Sequence, residues 1–314
     1  MSGQSKLSII GAGHVGSALA YASVIRELVD EIVLVNRTHE KAVGEAADLQ
    51  HASAFVSRAM RVRAGGIDST AGSDVIVLTH SVPMGKDFSD RMSLAGGNID
   101  LFREWIPPLA QASPRSIFVV VTNPVDVMTY VTWKLSALPV ERIIGSGTII
   151  DSVRFRSLLS DEMQIHPDDI RAYILGEHGH SQFPALSVAA TGGRTLDRDP
   201  RIEQIFETAK QAGMDVFRKK GYTNYAIAMA TTLIIESIIR DSRRTLPVSV
   251  WVKSILNVED VCLSIPAVIG AGGVQKILQP EFSPDEITLF RSSAEKIAEV
   301  LDRYHFRTEA QNPK

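Results

Sequence analysis

The residues best suited to chemistry begin with a glycine-rich run, Gly11-Ala12-Gly13-His14-Val15-Gly16. This spacing is typical of a turn that binds a dinucleotide. In such a turn Gly11 permits the tight bend, Gly13 lets the backbone approach a pyrophosphate, and Gly16 allows close packing of helix on strand. The phosphates would rest on free N–H groups at the N-terminus of the following helix. We therefore expect a dinucleotide site near the start of the chain.

A second polar signal lies at Val35-Asn36-Arg37, where a dinucleotide fold usually has Asp or Glu. The acidic residue holds the ribose hydroxyls of NAD, whereas a neutral amide followed by a guanidinium suits a 2′-phosphate. The sequence therefore favours NADP(H) over NAD(H). In one alternative, Asn36 hydrogen-bonds the ribose, Arg37 stacks on adenine, and NAD is retained. In another, Arg37 is a plain surface charge.

Further candidates are polar segments that follow apolar runs later in the chain. Because ligands of α/β sheets bind at loops beyond the strand ends, these segments are where we expect chemistry. They are Asp90-Arg91, Thr122-Asn123-Pro124-Val125-Asp126, Asp151-Ser152-Val153-Arg154 and Gly176-Glu177-His178-Gly179-His180.

The elements that must position these residues alternate between strand and helix in the first half. The apolar runs that predict strands are Leu7–Ile10, Glu31–Val35, Arg61–Ala64, Asp74–Thr79 and Ser116–Thr122. Alternating strands and amphipathic helices predict an α/β fold: an N-terminal Rossmann-type, doubly wound parallel sheet, with its ligand at the carboxyl ends of the strands.

The pattern changes near residue 145, after which helices dominate. The predicted helices are Ile149–Met163, Ile202–Lys220 and Asp285–Tyr304, with strand-like runs at Ile170–Leu175 and Ser187–Ala190. We therefore expect a dinucleotide-binding domain over residues 1–146 and a C-terminal α+β substrate domain over residues 147–314.

Composition excludes several other classes of protein. The 314 residues are 45% hydrophobic and 22% charged, with a net charge of −3, which gives no reason to expect nucleic acid or an acidic membrane surface as a partner. The single Cys262 excludes an internal disulfide framework, and the first residues lack a hydrophobic signal core. We expect a cytoplasmic protein. His178 and His180 form a pair with no evident third ligand, so we expect no metal.

The chain resembles the L-lactate/L-malate dehydrogenase family almost end to end, and the lactate branch more closely. The matching motifs occur in family order. They are the glycine run, Thr122–Asp126, Val140–Thr148, Leu175–Gly179, Lys220-Gly221-Tyr222-Thr223 and Ile265-Pro266-Ala267. The resemblance implies an NAD(P)-dependent L-2-hydroxy acid dehydrogenase that moves a hydride reversibly between cofactor and a 2-oxo acid. It also implies a homo-oligomer, either a dimer or a tetramer.

The resemblance assigns the proton transfer to His178, because imidazole titrates near neutrality. Asp151 matches the carboxylate that fixes the tautomer of this imidazole. Arg154 would bind the substrate carboxylate with its bidentate fork. Alternatives remain for all three: His178 as a packed residue, Arg154 as a helix-surface ion pair, and Asp151 as a helix N-cap.

Other matched positions imply contacts with the ketone and the cofactor. Arg91 would polarise the ketone oxygen from a loop that closes over the substrate, and Asn123 would hydrogen-bond the same oxygen. Thr223 would lie by the substrate near the nicotinamide. A solvated charge at Arg91 and simple packing at Thr223 are the alternatives. The implied cofactor-binding set is Gly11, Gly13, His14, Val15, Gly16, Asn36, Arg37, Thr79 and Asn123.

The sequence departs from the family where substrates are discriminated. Lactate enzymes have Gln there and malate enzymes Arg, whereas this chain has Met84 or Gly85, depending on how its longer loop is aligned. Neither pairs with a second carboxylate, so a lactate-like substrate with a bulkier side chain is expected. Lys86 is either a solvated charge or a cation that recreates a malate-like pocket. Malate dehydrogenase is therefore the alternative enzymatic function. A non-catalytic redox sensor that binds a dinucleotide is the alternative of another class.

Two more departures concern the cofactor side and a subunit boundary. His80-Ser81-Val82 replaces the usual Ala-Gly-Ala beside the nicotinamide. Arg156 and Arg171 match positions where some bacterial lactate enzymes bind an activating sugar phosphate between subunits. Because both residues are basic, two alternatives stay open: a site for an anion, or ordinary ion pairs at the surface.

Overall fold

The computed structural model of the chain describes residues 4–83, 91–196 and 198–307. Strands and helices alternate through the first half of the chain. The strands are β1 (Lys6–Ile10), β2 (Glu31–Val35), β3 (Arg61–Ala64), β4 (Val75–Leu78), β5 (Ile117–Val120), β6 (Ile143–Gly145), β7 (Ile170–Arg171), β8 (Ile174–Leu175), β9 (Phe183–Pro184), β10 (Ala190–Thr191), β11 (Arg194–Thr195), β12 (Arg244–Val252), β13 (Val261–Gly270) and β14 (Gly273–Ile277).

The helices cover the sheet and make up the largest share of the second half. They are α1 (His14–Ile25), α2 (His39–Ala52), α3 (Ala95–Ala112), α4 (Val125–Ser136), α5 (Ile149–Met163), α6 (Pro200–Lys220), α7 (Tyr225–Ile239) and α8 (Pro284–Arg303). None of the helices in the described ranges is long and apolar enough to cross a bilayer.

One large sheet runs through the molecule in the order β14-β13-β12-β6-β5-β4-β1-β2-β3. Strands β1 to β6 pair in parallel, and the order reverses direction between β1 and β4. The side chains of β4 and β5 are fully buried, as continuous apolar strands covered on both faces require. The predicted Rossmann-type parallel sheet is confirmed, and the site described below lies at the carboxyl ends of its strands.

The long antiparallel hairpin of β12 and β13 was not predicted from the sequence. Its strands pair from Arg244 with Ile269 to Val252 with Val261, and β12 joins the parallel sheet through Ser249 opposite Gly145. Both strands are buried on both faces over most of their length, so the alternation that marks a half-exposed strand is missing.

The strand-like runs expected in the second half also differ from the structure. Ile170–Leu175 is two strands with different partners, since β7 pairs with β10 and β8 with β9. Ser187 lies in a 3₁₀ turn, and only Ala190 of the second run enters a strand. The amide N–H of Ser187 donates to the buried carboxylate of Glu286 at the start of α8, which takes it out of any sheet ladder.

A separate, smaller core supports the second half. Phe155 and Leu159 of α5 pack with Phe206 and Ala209 of α6, apart from the main core that surrounds the sheet. The rings of Phe155 and Phe206 meet edge to face with their centroids 6.3 Å apart. This packing fixes α6, and through it the segment that leads to α7, relative to α5.

The glycine turn yields a first prediction. A methyl group on Gly16 would meet the Gly11 carbonyl oxygen at 1.8 Å, whereas one on Gly13 would meet nothing within 4 Å. We expect Gly16→Ala to lower the free energy of unfolding by about 1–3 kcal/mol. We expect Gly13→Ala to lower it by less than about 1 kcal/mol, since Gly13 is the N-cap of α1 in ordinary extended backbone.

Denaturant titrations of the two variants measure this difference, and dinucleotide titration of Gly13→Ala adds a second readout. We expect Gly13→Ala to fold but to bind dinucleotide more weakly than the wild type. Equal losses of stability in the two variants would contradict the packing role of Gly16.

Candidate active site

A buried hydrogen bond joins two elements at the centre of the site. His178 Nδ1 lies 2.5 Å from Asp151 Oδ2, and the two side chains are only 11% and 4% exposed. His178 follows β8, and Asp151 lies in the first turn of α5, where the helix dipole favours a carboxylate. With Nδ1 donating to Asp151, the second ring nitrogen, Nε2, is left for the cavity that His178 lines.

Side chains of α5 fasten this helix to β8. The Thr148 hydroxyl donates to the carbonyl of Ile174 at 2.5 Å, and the Ser152 hydroxyl accepts from the Ile174 amide at 2.9 Å. Thr148 and Ser152 are four residues apart, so they lie on one side of the helix. The N-cap of α5 is Thr148, so the alternative of Asp151 as N-cap is wrong. The register between α5 and β8 brings Asp151 to His178.

A third element, α4, holds the backbone of His178. The amide N–H of His178 donates to Asp126 Oδ2 at 2.8 Å, and Asp126 is buried in the first turn of α4. Burial above all, with the nearby charges of Glu177 and Asp151, raises the pKa of the Asp126 carboxyl to about 7, although the hydrogen bonds from Ser249 and the His178 amide lower it. Asp126 therefore gives up its proton only near neutral pH, beneath a residue that is itself suited to proton transfer.

Three adjoining cavities follow the carboxyl ends of the strands. The inner cavity is lined by His178 and Arg154 together with Val15, Asn123 and Thr223. The middle cavity shares the last three residues with it. Its other lining residues include His14, Thr79, Ser81, Leu94, Phe217 and Tyr222. The outer cavity is lined by Gly11, Gly13, Asn36, Arg37, Thr38, Lys41, Thr79, His80, Ser81, Leu101 and Trp105, among others.

The inner cavity has the groups that an anionic carbonyl compound needs. Arg154 presents a guanidinium, whose Nη1 also lies 3.4 Å from Asp151 Oδ1. The side-chain oxygen of Asn123 is buried and has no hydrogen-bond partner among the parts of the chain that the structure describes. Arg154, Asn123 and His178 thus surround one small space with a cation, an amide and an imidazole.

The outer and middle cavities fit a dinucleotide. Gly11 and Gly13 line the outer cavity, and the space beside Gly13 that a Cβ would occupy is open. Gly16 faces the Gly11 carbonyl and serves packing, while His14 and Val15 begin α1 beside the middle cavity. The Thr79 hydroxyl donates to the Gly11 carbonyl at 2.9 Å, which ties the end of β4 to the glycine turn.

Asn36 stabilises the glycine turn. Its side-chain oxygen accepts from the Ala12 amide at 3.2 Å, and its amide group donates to the Thr38 carbonyl at 3.0 Å. Arg37 is exposed, and Lys41, which sequence reasoning missed, lines the same outer cavity. Arg37 precedes α2 and Lys41 lies in its first turn, so the available signal was a second basic residue four positions after Arg37. Two cations therefore flank this end of the outer cavity.

His80-Ser81-Val82 is held in place by α3. The buried Asn98 accepts from the Val82 amide at 2.8 Å and donates to the Asn123 carbonyl at 2.7 Å, so it joins the ends of β4 and β5. The ring of His80 stacks on Phe102, with centroids 4.8 Å apart, and burial lowers the pKa of His80 to about 4. The His80 side chain is therefore uncharged at neutral pH and forms part of the lining of the outer cavity. Sequence reasoning missed Asn98.

Several predicted residues fall at or beyond the edge of what the structure describes. Met84, Gly85 and Lys86 lie outside the described residues. Arg91 begins a 3₁₀ helix that ends at Leu94. Within residues 4–83, 91–196 and 198–307, no group of three His, Cys, Asp or Glu side chains could hold a metal ion.

Of the two basic residues outside the site, Arg156 is half-buried and Arg171 is exposed. Burial lowers the pKa of Arg156, and the neighbouring charges of Arg171 and Arg244 lower it further. The charge of Arg171 thus acts on Arg156, and neither residue lines any of the three cavities.

Comparisons with known proteins agree with this geometry. Residues 5–145 match a family described as lactate/malate dehydrogenase, NAD binding domain, and residues 148–305 match its alpha/beta C-terminal domain. The chain is 39% identical to the L-lactate dehydrogenase of Gloeobacter violaceus over 311 residues, which cover 96% of this chain and 94% of that one.

Further relatives give the same result. The L-lactate dehydrogenase B-B chain of Danio rerio is 39% identical over 94% of this chain and 91% of its own. The structure of a minor L-lactate dehydrogenase from Enterococcus mundtii is similar with a TM-score of 0.92 and 30% identity. It covers 97% of this chain and 99% of its own.

The buried Asp126 yields a prediction for the pH dependence of stability. The folded protein keeps a proton on Asp126 up to about pH 7, whereas the unfolded chain releases it above about pH 4. The contribution of Asp126 to the free energy of unfolding therefore falls as the pH rises from about 4 to about 7, by about 1.4 kcal/mol per pH unit at most, and it levels off above pH 7. Asp126→Asn keeps the oxygen that accepts from His178 and removes this dependence.

Denaturant titrations between pH 4 and pH 8 measure the difference between wild type and Asp126→Asn. We expect the variant to gain stability relative to the wild type as the pH rises. The control is Asp100→Asn, at a carboxylate that is 75% exposed, and its curve should run parallel to that of the wild type. A parallel curve for Asp126→Asn would contradict the prediction.

Proposed function

The chain belongs to the lactate/malate dehydrogenase family and is an oxidoreductase that acts on the CH–OH group of 2-hydroxy acids with a nicotinamide cofactor; we propose that it interconverts an L-2-hydroxy acid and its 2-oxo acid and favours NADP(H). The observation that carries the proposal is the buried His178–Asp151 pair, which lies on an inner cavity that adjoins the dinucleotide-sized cavities. A proton donor and a hydride carrier can thus meet at one carbon–oxygen bond.

In the direction of ketone reduction, the oxygen of the 2-oxo acid needs a proton as its carbon receives a hydride. A bound nicotinamide ring supplies that hydride. The protonated His178 gives its Nε2 proton to the oxygen, and Asp151 stabilises the imidazolium and holds its orientation. In the direction of oxidation the same nitrogen takes the hydroxyl proton back.

The remaining residues orient the substrate. Arg154 binds the substrate carboxylate, and Asn123 donates a hydrogen bond to the reacting oxygen. Thr223 lies beside both the inner and the middle cavity, so it contacts the substrate on the nicotinamide side. Arg91, the first residue of its 3₁₀ helix, would polarise the ketone oxygen, as the family resemblance implies.

The residues around the outer cavity support the preference for NADP(H). Asn36 has no negative charge to repel a 2′-phosphate, and its oxygen already accepts from the Ala12 amide. Arg37 and Lys41 border the same cavity and would each contact the phosphate. Trp105 and Leu101 give the apolar walls that an adenine ring requires.

The cofactor preference is tested by kinetics with both cofactors. We expect kcat/KM of the wild type to be at least about tenfold higher with NADPH than with NADH, the equivalent of about 1.4 kcal/mol. Arg37→Ala and Lys41→Ala should each lower kcat/KM with NADPH about tenfold and leave the value with NADH within about twofold. Asn36→Asp should reverse the preference, since a carboxylate binds ribose hydroxyls and repels phosphate.

The matched control for these variants is Arg61→Ala. Arg61 is an exposed cation at the amino end of β3, whereas the cavities lie at the carboxyl ends of the strands. It should leave both cofactors unaffected. If Arg37→Ala weakens NADPH and NADH equally, Arg37 stacks on adenine and the proposed phosphate contact is wrong.

The side chain of the substrate is the second open property. Met84 and Gly85 would leave room beside the substrate, so we propose a lactate-like acid with a larger side chain than pyruvate carries. Values of kcat/KM for pyruvate, a branched 2-oxo acid, an aromatic 2-oxo acid and oxaloacetate decide the matter. A clear preference for oxaloacetate would assign Lys86 to a malate-type pocket. Dinucleotide binding without turnover of any of the four would indicate a sensor.

The acid–base pair gives its own prediction. His178→Ala should lower kcat by about 10²- to 10⁴-fold, the usual contribution of a general acid–base group. Asp151→Asn should lower kcat by a comparable factor, since an amide at this position favours the wrong imidazole tautomer. The control is His180→Ala, at an exposed imidazole two residues along the chain, which should keep full activity. Activity retained in His178→Ala would overturn the mechanism.

We also propose the larger organisation of the protein. The domain boundary lies at residues 146 and 147, and the protein is a cytoplasmic homo-oligomer, a dimer or a tetramer. Exposed apolar side chains on α1 and after α2 support the oligomer, among them Tyr21, Ile25 and Phe55.

A further inference from the structure

A ring stack joins the two halves of the chain at the middle cavity. His14 is the first residue of α1, directly after the glycine turn. Tyr222 lies in the segment between α6 and α7. The two rings are parallel within 4°, and their centroids are 3.8 Å apart. Both residues line the middle cavity. The motifs that explain the glycine turn and the catalytic pair do not account for this contact.

The segment that carries Tyr222 is fixed from its other side as well. The ammonium group of Lys220 lies 4.5 Å from the centroid of the Tyr222 ring and 3.9 Å from that of Tyr225. The same group donates to the Asn224 side chain at 2.5 Å. The short segment 221–224 is thus held between α1 and the end of α6, and Thr223 lies at its centre.

Thr223 connects this arrangement to the chemistry. It lines both the middle and the inner cavity, so its position affects substrate and nicotinamide together. Tyr222 is its chain neighbour, so a shift of the stacked ring moves Thr223. His14 in turn follows Gly13, where the dinucleotide phosphates would lie under the proposed function.

We propose that His14 and Tyr222 are positioning residues, whose ring stack sets Thr223 at the substrate cavity from the dinucleotide side. This inference rests on the proposed function and adds a route by which the glycine turn influences the binding of the 2-oxo acid. The stack requires only a flat ring at each position, because it is a face-to-face contact of the two rings.

Substitutions at both positions test the proposal. Tyr222→Ala should raise KM for the 2-oxo acid about 3- to 10-fold at saturating dinucleotide, with kcat within about twofold, the loss that one aromatic contact gives. Tyr222→Phe should keep the wild-type KM. His14→Ala should raise this KM by a similar factor, and His14→Phe should restore it. The double variant His14→Ala/Tyr222→Ala should be no worse than either single variant, because each removes the same contact.

The control is Leu289→Ala, which removes an exposed side chain of α8 that lines none of the three cavities. It should leave KM unchanged. Additive losses in the double variant, or equal effects of His14→Phe and His14→Ala, would overturn the proposal. So would a fall in the unfolding midpoint of the single alanine variants without a change in KM, which is the result of a merely structural contact.

A second arm separates this inference from the proposed function. Binding of oxamate, an unreactive analogue of pyruvate, to the dinucleotide-loaded protein is measured by calorimetry, which needs no turnover. Weaker binding in Tyr222→Ala, with wild-type binding in Tyr222→Phe, supports the positioning role even if the wild type turns over no 2-oxo acid. If the wild type turns over no 2-oxo acid, that result overturns the proposed function but not the positioning role. Equal oxamate binding in wild type and Tyr222→Ala overturns the positioning role alone.

Discussion

The site depends on one buried interaction, the 2.5 Å hydrogen bond between His178 and Asp151. A carboxylate that is 4% exposed is costly unless charged and polar partners surround it, and Asp151 has both the imidazole and the guanidinium of Arg154. The same desolvation makes the orientation of His178 definite, because the ring has one favourable partner for Nδ1. Burial and chemistry are thus coupled: the features that stabilise Asp151 also aim the second ring nitrogen at the inner cavity.

Four elements must come together for this bond to form: α5, β8, β13 and α4. Thr148 and Ser152 bind α5 to Ile174 of β8. The segment after β8 is joined to β13 by paired hydrogen bonds between Gly176 and Ser264. From α4, the buried Asp126 accepts the amide N–H of His178. The β12–β13 hairpin therefore does more than widen the sheet, because it provides the edge on which the His178 segment rests.

Sequence reasoning could predict the parts of this arrangement that have local signals. An apolar run predicted the bounds of β2, the strand-like run Arg61–Ala64 predicted those of β3, and the spacing of apolar residues predicted those of α5. The partners of buried polar groups could not be predicted in the same way, because they depend on contacts between distant segments. In the sequence Asn98 is an ordinary helix residue, and only the fold shows that it joins the ends of β4 and β5. Asp126 lies in a motif that the sequence identifies, but its hydrogen bond with the His178 amide is visible only in the structure. The stack of His14 on Tyr222 likewise joins segments about 200 residues apart.

The geometry also explains how cofactor preference can change without disturbing the chemistry. The outer cavity, where the proposed function places the adenosine, is bordered by the end of β2 and the start of α2, through Asn36, Arg37 and Lys41. In the part of the chain that the structure describes, the side-chain hydrogen bonds of Asn36 go to Ala12 and Thr38, not to the elements that hold His178. Asn36 keeps the structural task at its position, since its oxygen still accepts from the Ala12 amide as a carboxylate would. Under the proposed function, the amide at position 36 would therefore change which dinucleotide binds, while the glycine turn keeps its shape and α1 stays aligned with the catalytic half.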